Sequence, residues 1–478
     1  MNHKPIQLKN VSLSFPHKIC FEAFNAQIPY GSRIAIMGRN GSGKSSLLNM
    51  INGTLTPTSG EIKIPDDAHI GYVPQLFTES TSLSGGQRFN AALTKVLSRD
   101  PNVLLFDEPT NNLDAKNRAS LMRMLRSFPG TLIIVSHDVE LLRTCIDTLW
   151  HIDNDHIHIF SGNYDDYMRE RNIKRSSIEH ELSRLDRQKK DTHHALMKEQ
   201  ARAAKSRATG EKYIEQRKWP KAAAKLKGAQ AEHTAGSKKA EIGQKKEALS
   251  EALANLRLPE IILPTFSITA ADIGNKTLVS ISEGTVGYQH EKPILHDISL
   301  SVTAGERIAI MGDNGSGKST LIKGILNDPT VIKSGNWHVP KQSDIGYLDQ
   351  HYGTLSATQS VFETIAEWVP TWSHAEIRRH LNDFLFRKNE EVNALLATLS
   401  GGEKVRLTLA QIAAKTPQLL ILDEITNNLD LETREHVIQV LKEYPGSMIV
   451  ISHDEDFLDK IGIQSWYEVI NGTVQHQS

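Results

Sequence analysis

The chain has 478 residues, 39% apolar and 23% charged, with a formal net charge of -1, which suits roughly two to four globular domains and excludes a uniformly basic or acidic protein. Cys20 and Cys145 are its only cysteines, so a disulfide framework or a cysteine zinc cluster is excluded and a reducing compartment fits. No apolar run reaches the ~18–20 residues that span a bilayer, and the opening MNHKPIQLKN lacks the apolar core of a secretory signal; the expectation is a cytoplasmic protein without membrane spans.

In chain order, an apolar strand (Ile34, Ala35, Ile36) runs into GRNGSGKSS at 38–46, and a helical run (Leu47, Leu48, Met50) follows. A G-x-x-x-x-G-K-[ST] segment in that frame predicts a phosphate-binding loop. Gly38, Asn40, Gly41 and Gly43 turn backbone amides toward phosphates, Lys44 supplies charge to the β/γ oxygens, and Ser45 offers a hydroxyl to Mg²⁺, with Ser46 next on the helix. Gln75 closes the YVPQ segment. LSGGQR at 83–88 brings Ser84, Gly85 and Gly86 to a predicted helix start, a second anion-binding surface. VLLFDE at 103–108 reads as a buried parallel strand ending in two carboxylates. Asp107 is placed to hold Mg²⁺ and Glu108 to orient and deprotonate a water. His137, after the apolar run IIV and a serine, is within reach of a γ-phosphate.

From Arg169 to Leu258 the composition shifts to Lys, Arg, Glu, Ala and Gln, which favours helix. Sparse apolar stripes (Ile178, Leu182, Leu185; Ile242, Leu249, Leu253, Leu256) predict an antiparallel helical hairpin, interrupted by Gly210 and Trp219-Pro220, with its tip near 205–225. This segment holds 23 Lys+Arg against 12 Asp+Glu, net +11, and its 198–227 part holds 10 against 3, net +7. The remainder of the chain then carries -12, a polarity that suits one element placed among RNA phosphates; the plainer alternative is a solvated helical spacer.

The first set of motifs then returns. GDNGSGKST at 312–320 (Gly312, Asn314, Gly315, Gly317, Lys318, Ser319, Thr320) repeats the phosphate loop, and Gln350 closes YLDQ. LSGGEK at 399–404 (Ser400, Gly401, Gly402) repeats the glycine signature. LLILDE at 419–424 gives Asp423 for Mg²⁺ and Glu424 for the water, and His453 follows MIVIS. Two framed copies leave no room for a chance glycine turn. The register is 274 residues from Lys44 to Lys318, 275 from Gln75 to Gln350, and 316 from Ser84 to Ser400, Glu108 to Glu424 and His137 to His453. The jump of 41 residues falls between the glutamine and LSGG, so the second unit has room there for several helices and the first has none. If the phosphate loop and LSGG lie on opposite sides of a unit, the two units pair head to tail, each ATP lying between the loop of one and the LSGG of the other.

Order and spacing resemble the ATP-binding cassette (ABC) family, twice in one chain, over about 365 of 478 residues. The expected fold is α/β: two P-loop cassettes, 1–163 and 276–478, joined by a basic helical-hairpin linker, 164–275, the first cassette with a reduced helical subdomain. The resemblance implies Mg²⁺-dependent ATP hydrolysis. It also implies contact of Gln75 and Gln350 with Mg²⁺ and the γ-phosphate, and a loop at Asp114 and Asp430 joining the sites. An aromatic ring stacking on adenine is implied at Tyr288 and at Phe15, which also reads as core. FSGNYDDYMRER at 160–171 and TNNLD resemble the ABC-F subfamily. That resemblance implies a ribosome-bound ATPase whose linker reaches the tRNA exit site and rRNA, acting as an antibiotic-resistance factor or a housekeeping translation factor. It also implies a monomer whose cassettes pair within the chain. Two alternatives stand beside it: the ATPase subunit of a transporter with a separate membrane subunit, and a DNA-maintenance ATPase.

Overall fold

In the computed structural model, residues 3–16, 18–75, 85–111, 113–153, 155–215, 240, 242–245, 248–249, 262, 266, 276–289, 292–349 and 358–477 are described. By compactness the chain divides into Met1–Tyr167 with Ile261–Ser478, and Met168–Glu260.

Two kinds of strand build each cassette. β1 (Ile6–Phe15) and β2 (Lys18–Ile28) mix buried and exposed positions. They pair antiparallel, with Ile6 opposite Ile28, and β4 (Ser59–Lys63) lies on the other side of β1. One face of this small sheet meets the core while the other stays solvated, as antiparallel sheets allow. β6 (Val103–Asp107) and β7 (Thr131–Val135) are buried at every position, and β3 (Arg33–Gly38) is nearly so. Continuous apolar runs of this kind are covered on both faces, the pattern of parallel strands. With β5 (Ile70–Val73), β8 (Thr148–Asp153) and β9 (His156–Ser161) they form a six-stranded sheet in the order β5-β6-β7-β3-β8-β9. Only the β8–β9 pair is antiparallel. Leu8, Phe21, Ile36, Leu47, Leu105 and Trp150 fill the space between the two sheets.

The second cassette repeats this plan. β10 (Thr277–Gly287) pairs with β11 (Leu295–Thr303) and β13 (Ile332–His338). β12 (Arg307–Met311), β14 (Ile345–Leu348), β15 (Leu419–Asp423), β16 (Ser447–Ile451), β17 (Ser465–Ile470) and β18 (Thr473–Gln477) give the order β14-β15-β16-β12-β17-β18. Identical strand order in both halves is the duplication read from the motifs, now in three dimensions.

The predicted 41-residue difference is also present. Between β14 and the second glycine signature stand helices Val361–Trp368, His374–Asp383 and Asn389–Val392. Ser360 and Ser373 cap the first two with full capping boxes through Glu363 and Glu376. Ile365, Leu381, Phe384 and Phe386 join a core that also holds Leu420, Leu422 and Val450 of the parallel sheet. In the first cassette only residues 74–84 separate β5 from the helix Gly85–Leu97.

The linker differs from the reading in one respect. Its first arm is a single helix, Tyr164–Glu215, that runs through Gly210 without a break. A lone glycine costs a helix about 1 kcal/mol relative to alanine, too little to end one of this length. Residues 240, 242–245 and 248–249 are helical as well; the Trp219-Pro220 pair lies outside the described residues.

Candidate nucleotide sites

Both phosphate loops are shaped by the same backbone requirement. Gly43 and Gly317 hold φ of 98° and 110° and stand directly before the helices Lys44–Ile51 and Lys318–Ile325. A side chain there is strained, and a Cβ on Gly317 would meet Leu295 and Ile294 at 2.8 and 2.9 Å. The lysines are buried. Lys44 Nζ donates to the carbonyls of Gly38 and Arg39 at 2.9 and 3.0 Å, and Lys318 Nζ to those of Gly312 and Asp313 at 2.7 and 3.0 Å. Burial lowers the proton affinity of both, opposed at Lys44 by Glu108, Asp430 and Asp107 and at Lys318 by Glu424, Asp423, Asp313 and Asp114.

A cavity of about 410 Å³ opens over the first loop. It is lined by Phe15, Asn40, Gly41, Gly43, Lys44, Ser45, Ser46, Gln75, Asp107, Glu108 and His137 among others. Residues from position 15 to position 137 are thus gathered around one void. Phe15, read as an adenine partner or as core, is half exposed on the rim. Tyr288 at the second cassette is likewise half exposed, its hydroxyl accepting from Lys323 Nζ at 3.3 Å. Gln350 and Ser84 lie outside the described residues.

The acidic pair sits where β6 and β15 end. Burial raises the Asp107 carboxyl, and a hydrogen bond from Ser45 and the charge of Lys44 oppose it. Asp107 Oδ1 is buried with no hydrogen-bond partner. Burial raises Asp423 too, with Ser319 and Tyr347 bonding to it; Tyr347 Oη donates to Oδ2 at 3.4 Å. A buried carboxylate oxygen without a partner, next to the loop hydroxyl, fits a hard cation that takes its remaining ligands from phosphate and water. Among the described residues there is no cluster of three or more His, Cys, Asp or Glu that would hold a metal by itself.

Glu108 and Glu424 both adopt the left-handed backbone, φ 48° and 49°. His137 Nε2 lies 3.4 Å from Glu108 Oε1. Burial raises the Glu108 carboxyl well above the usual carboxylate range and lowers the His137 imidazole well below the usual histidine range. His453 is lowered in the same way, by burial first and by Lys318. Both ring nitrogens of each histidine are buried without a hydrogen-bond partner.

The glycine signature of the second cassette meets the phosphate loop of the first. Arg39, Asn40, Ser400, Gly402, Glu403 and Asp430 share one cleft of about 120 Å³. Ser400 caps the helix Gly401–Lys415, and its Oγ donates to Glu403 Oε2 at 2.6 Å. Asp430 caps the helix Leu431–Glu443 through the Thr433 amide at 2.8 Å, and its Oδ2 accepts from the Asn40 amide of the other cassette at 3.1 Å. At the other end, Ala115 lines a cavity of about 400 Å³ with Gly312, Asp313 and His453. Gly85 and Gly86 open their own helix, and a Cβ on Gly86 would touch Asn117.

Sequence reading missed the arginines behind these loops. Arg118 forms a two-pronged pair with Asp138, both contacts 2.6 Å, and its Nη1 reaches the His453 carbonyl at 3.4 Å. Its equivalent Arg434, almost fully buried, binds Asp454 and Asp456. Arg143 Nη1 pairs with Asp456 of the other cassette at 2.9 Å. The 316-residue offset already aligned Arg118 with Arg434 and was the available signal.

Comparison with known proteins agrees with this geometry. The ABC transporter family profile matches residues 21–79 and 295–427. The ribosome protection protein VmlR of Bacillus subtilis is 31% identical, over 95% of this chain and 85% of its own length. This chain belongs to the ABC-F subfamily of ATP-binding cassette proteins. The ATP-binding protein Uup of Buchnera aphidicola, 28% identical over 98% of this chain and 81% of its own, and Uup of Escherichia coli, 30% identical over 81% and 56%, are similar to it as well. As an ABC-F protein it binds ATP and is an ATPase. Among the described residues no helix is long and apolar enough to cross a membrane.

Proposed function

We propose that this ABC-F protein is a cytoplasmic, Mg²⁺-dependent ATPase that acts on the ribosome as a monomer. Its two cassettes close on ATP at two shared sites, and the basic segment between them binds rRNA near the tRNA exit site. The observation that carries this reading is similarity to a ribosome protection protein along 95% of the chain, a span that includes the segment with net charge +11. Concentrated positive charge on one element of a chain that is otherwise acidic fits attraction to phosphates. A transporter subunit would need a surface for its membrane partner, and the first cassette has only residues 74–84 where such a subdomain would stand.

Asp107 with Ser45, and Asp423 with Ser319, would hold Mg²⁺, which when bound neutralises charge at the β and γ oxygens. Lys44 and Lys318 bind phosphate by exchanging their loop carbonyls for phosphate oxygens. Glu108 and Glu424 orient the attacking water and take its proton; burial keeps Glu108 basic enough for that task at neutral pH. Neutral His137 and His453 donate to the γ-phosphate. Phe15 and Tyr288 present ring faces to the adenine. Gln75 and Gln350 complete the γ-phosphate contacts, and the signature residues Ser84, Gly85 and Gly86, with Ser400, Gly401 and Gly402, bind it from the partner cassette.

Co-sedimentation with ribosomes in the presence of ATP tests the reading. Retention by ribosomes with ATP, and release when hydrolysis proceeds, is the expected result; sedimentation indifferent to ribosomes would refute it. The name of the similar Bacillus protein supports ribosome protection over a housekeeping role, and a drug-susceptibility panel on cells expressing the chain distinguishes them.

A further inference from the structure

Arg39 and Glu432 meet across the cassettes in a two-pronged contact, Nε to Oε2 at 2.6 Å and Nη2 to Oε1 at 2.8 Å. Arg39 is the second residue of the first phosphate loop, and Glu432 the second residue of the helix Leu431–Glu443. The equivalent positions at the other end follow from the offsets of 274 and 316 residues: Asp313 in the second loop and Lys116 in the helix Ala115–Ser127. Both charges are inverted.

The two ends are related by the repeat, although the ion pair is formed at the first, Arg39–Glu432, and not between Asp313 and Lys116. Asp313 shares a cavity with Ala115, the residue before Lys116, and the charge of Asp114 acts on Lys318. The start of the helix Ala115–Ser127 thus faces the second loop as the start of Leu431–Glu443 faces the first. Asp313 and Lys116 are both exposed there. Around these four positions the contacting segments repeat: GRNGSGKS against GDNGSGKS, and TNNLD in both halves. Apart from Arg39 and Asp313, those segments are identical in the two halves.

We propose that Arg39, Glu432, Asp313 and Lys116 form a polarity key that selects pairing of the first cassette with the second and rejects pairing of like cassettes from two chains. Two first cassettes head to tail would set Arg39 against Lys116 twice. Two second cassettes would set Asp313 against Glu432 twice. An exposed ion pair adds little affinity by itself, so the selectivity resides in the repulsion built into the wrong pairings. The key keeps closure within one chain, and it requires neither hydrolysis nor a ribosome.

The Asn40 amide, held by Asp430 of the other cassette, reports pairing by hydrogen exchange in the full-length, nucleotide-free protein. Arg39→Glu and Glu432→Arg should each speed its exchange roughly five- to tenfold, and the double variant should return to within about threefold of wild type. Arg39→Glu with Lys116→Glu should show no such return. Asp313→Lys should be restored by Lys116→Glu and not by Glu432→Arg, read at the amide of Asn314. Selection is read by sedimentation at several hundred µM, since a tether supplies roughly millimolar effective concentration. The wild-type chain should remain a single chain. Arg39→Glu/Glu432→Arg, in which every pairing is attractive, should form chain–chain complexes. A double variant that exchanges as fast as the single ones, or that stays a single chain over the same range, would overturn the key. Loss of ribosome binding or ATPase activity in the wild-type protein would count against the proposed function and leave this test intact.

Discussion

Glu108 and Glu424 hold the same left-handed turn, φ 48° and 49°, although Pro109 follows one and Ile425 the other. The neighbouring strand fixes the turn: the Glu108 amide donates to the Val135 carbonyl at 2.8 Å and the Glu424 amide to that of Ile451 at 2.9 Å. Such backbone strain, of order 1–3 kcal/mol per residue, persists where its surroundings over-determine it. Its presence in both halves argues for two sites of equal construction.

Glu108→Gln together with Glu424→Gln should therefore leave ATP binding intact and reduce hydrolysis by about 10²–10⁴. Equilibrium nucleotide binding and phosphate release measured on the same preparation check this. The variant should persist on ribosomes and inhibit translation. Near-wild-type turnover would remove both glutamates from the proposed role.

Asp430 does two jobs with one carboxylate, capping its helix and accepting from the Asn40 amide across the cassettes. Asp430→Ala should cost about 0.5–2 kcal/mol of stability through the lost cap and also lower ATPase activity. Asp430→Ser, which keeps a capping hydroxyl on a shorter side chain, should recover most of the stability without the activity. Denaturant midpoints and turnover rates separate the two roles; parallel recovery of both would show that the cross-cassette bond contributes nothing.

Asp456 gives the fold an acid limit. Burial raises its carboxyl, but Arg434 and Lys460 outweigh burial and hold it down to about 2, against a reference of 3.8. A carboxylate depressed in the folded state contributes stability that is present above the unfolded value and lost as pH falls through the folded one. The window is therefore pH 4 down to 2, and the contribution at neutral pH is roughly 2 kcal/mol. Asp456→Asn should lower neutral-pH stability by about that amount and flatten the acid loss in the same window. Unfolding midpoints from pH 7 to 2 give the comparison; an unchanged slope would mean that another carboxylate sets the limit.

Local motifs announced the strands and helices that carry Lys44, Asp107, Ser400 and their copies, because each motif packs its chemistry into fewer than ten residues next to an apolar run. The helices between β14 and the second LSGG were legible as a length difference. Contacts such as Arg39–Glu432 and Arg118–His453 were not, since they join residues more than 300 positions apart through side chains that no local pattern marks. Gly210 misled because the penalty of a lone glycine is small beside the length of the helix around it.

Charge on the linker is the remaining handle. Reversing Arg207, Lys212, Arg217 and Lys218 to Glu changes the local charge by -8 and takes the 198–227 segment from +7 to -1. All four are remote in sequence from every nucleotide motif, so both cassettes should stay folded and bind ATP as before. Attraction to rRNA phosphates, which scales with the number of neutralised phosphates, would be replaced by near-neutrality; ribosome binding should weaken and its salt dependence become shallower. Basal ATPase activity should change little, whereas any stimulation by ribosomes should collapse. Binding isotherms at two or more salt concentrations, with ATPase measured with and without ribosomes, read both effects. Wild-type affinity at physiological salt in the reversed protein would mean that the segment only spaces the cassettes, and the contact with the ribosome would then have to come from the acidic remainder of the chain, where phosphate attraction has no obvious source.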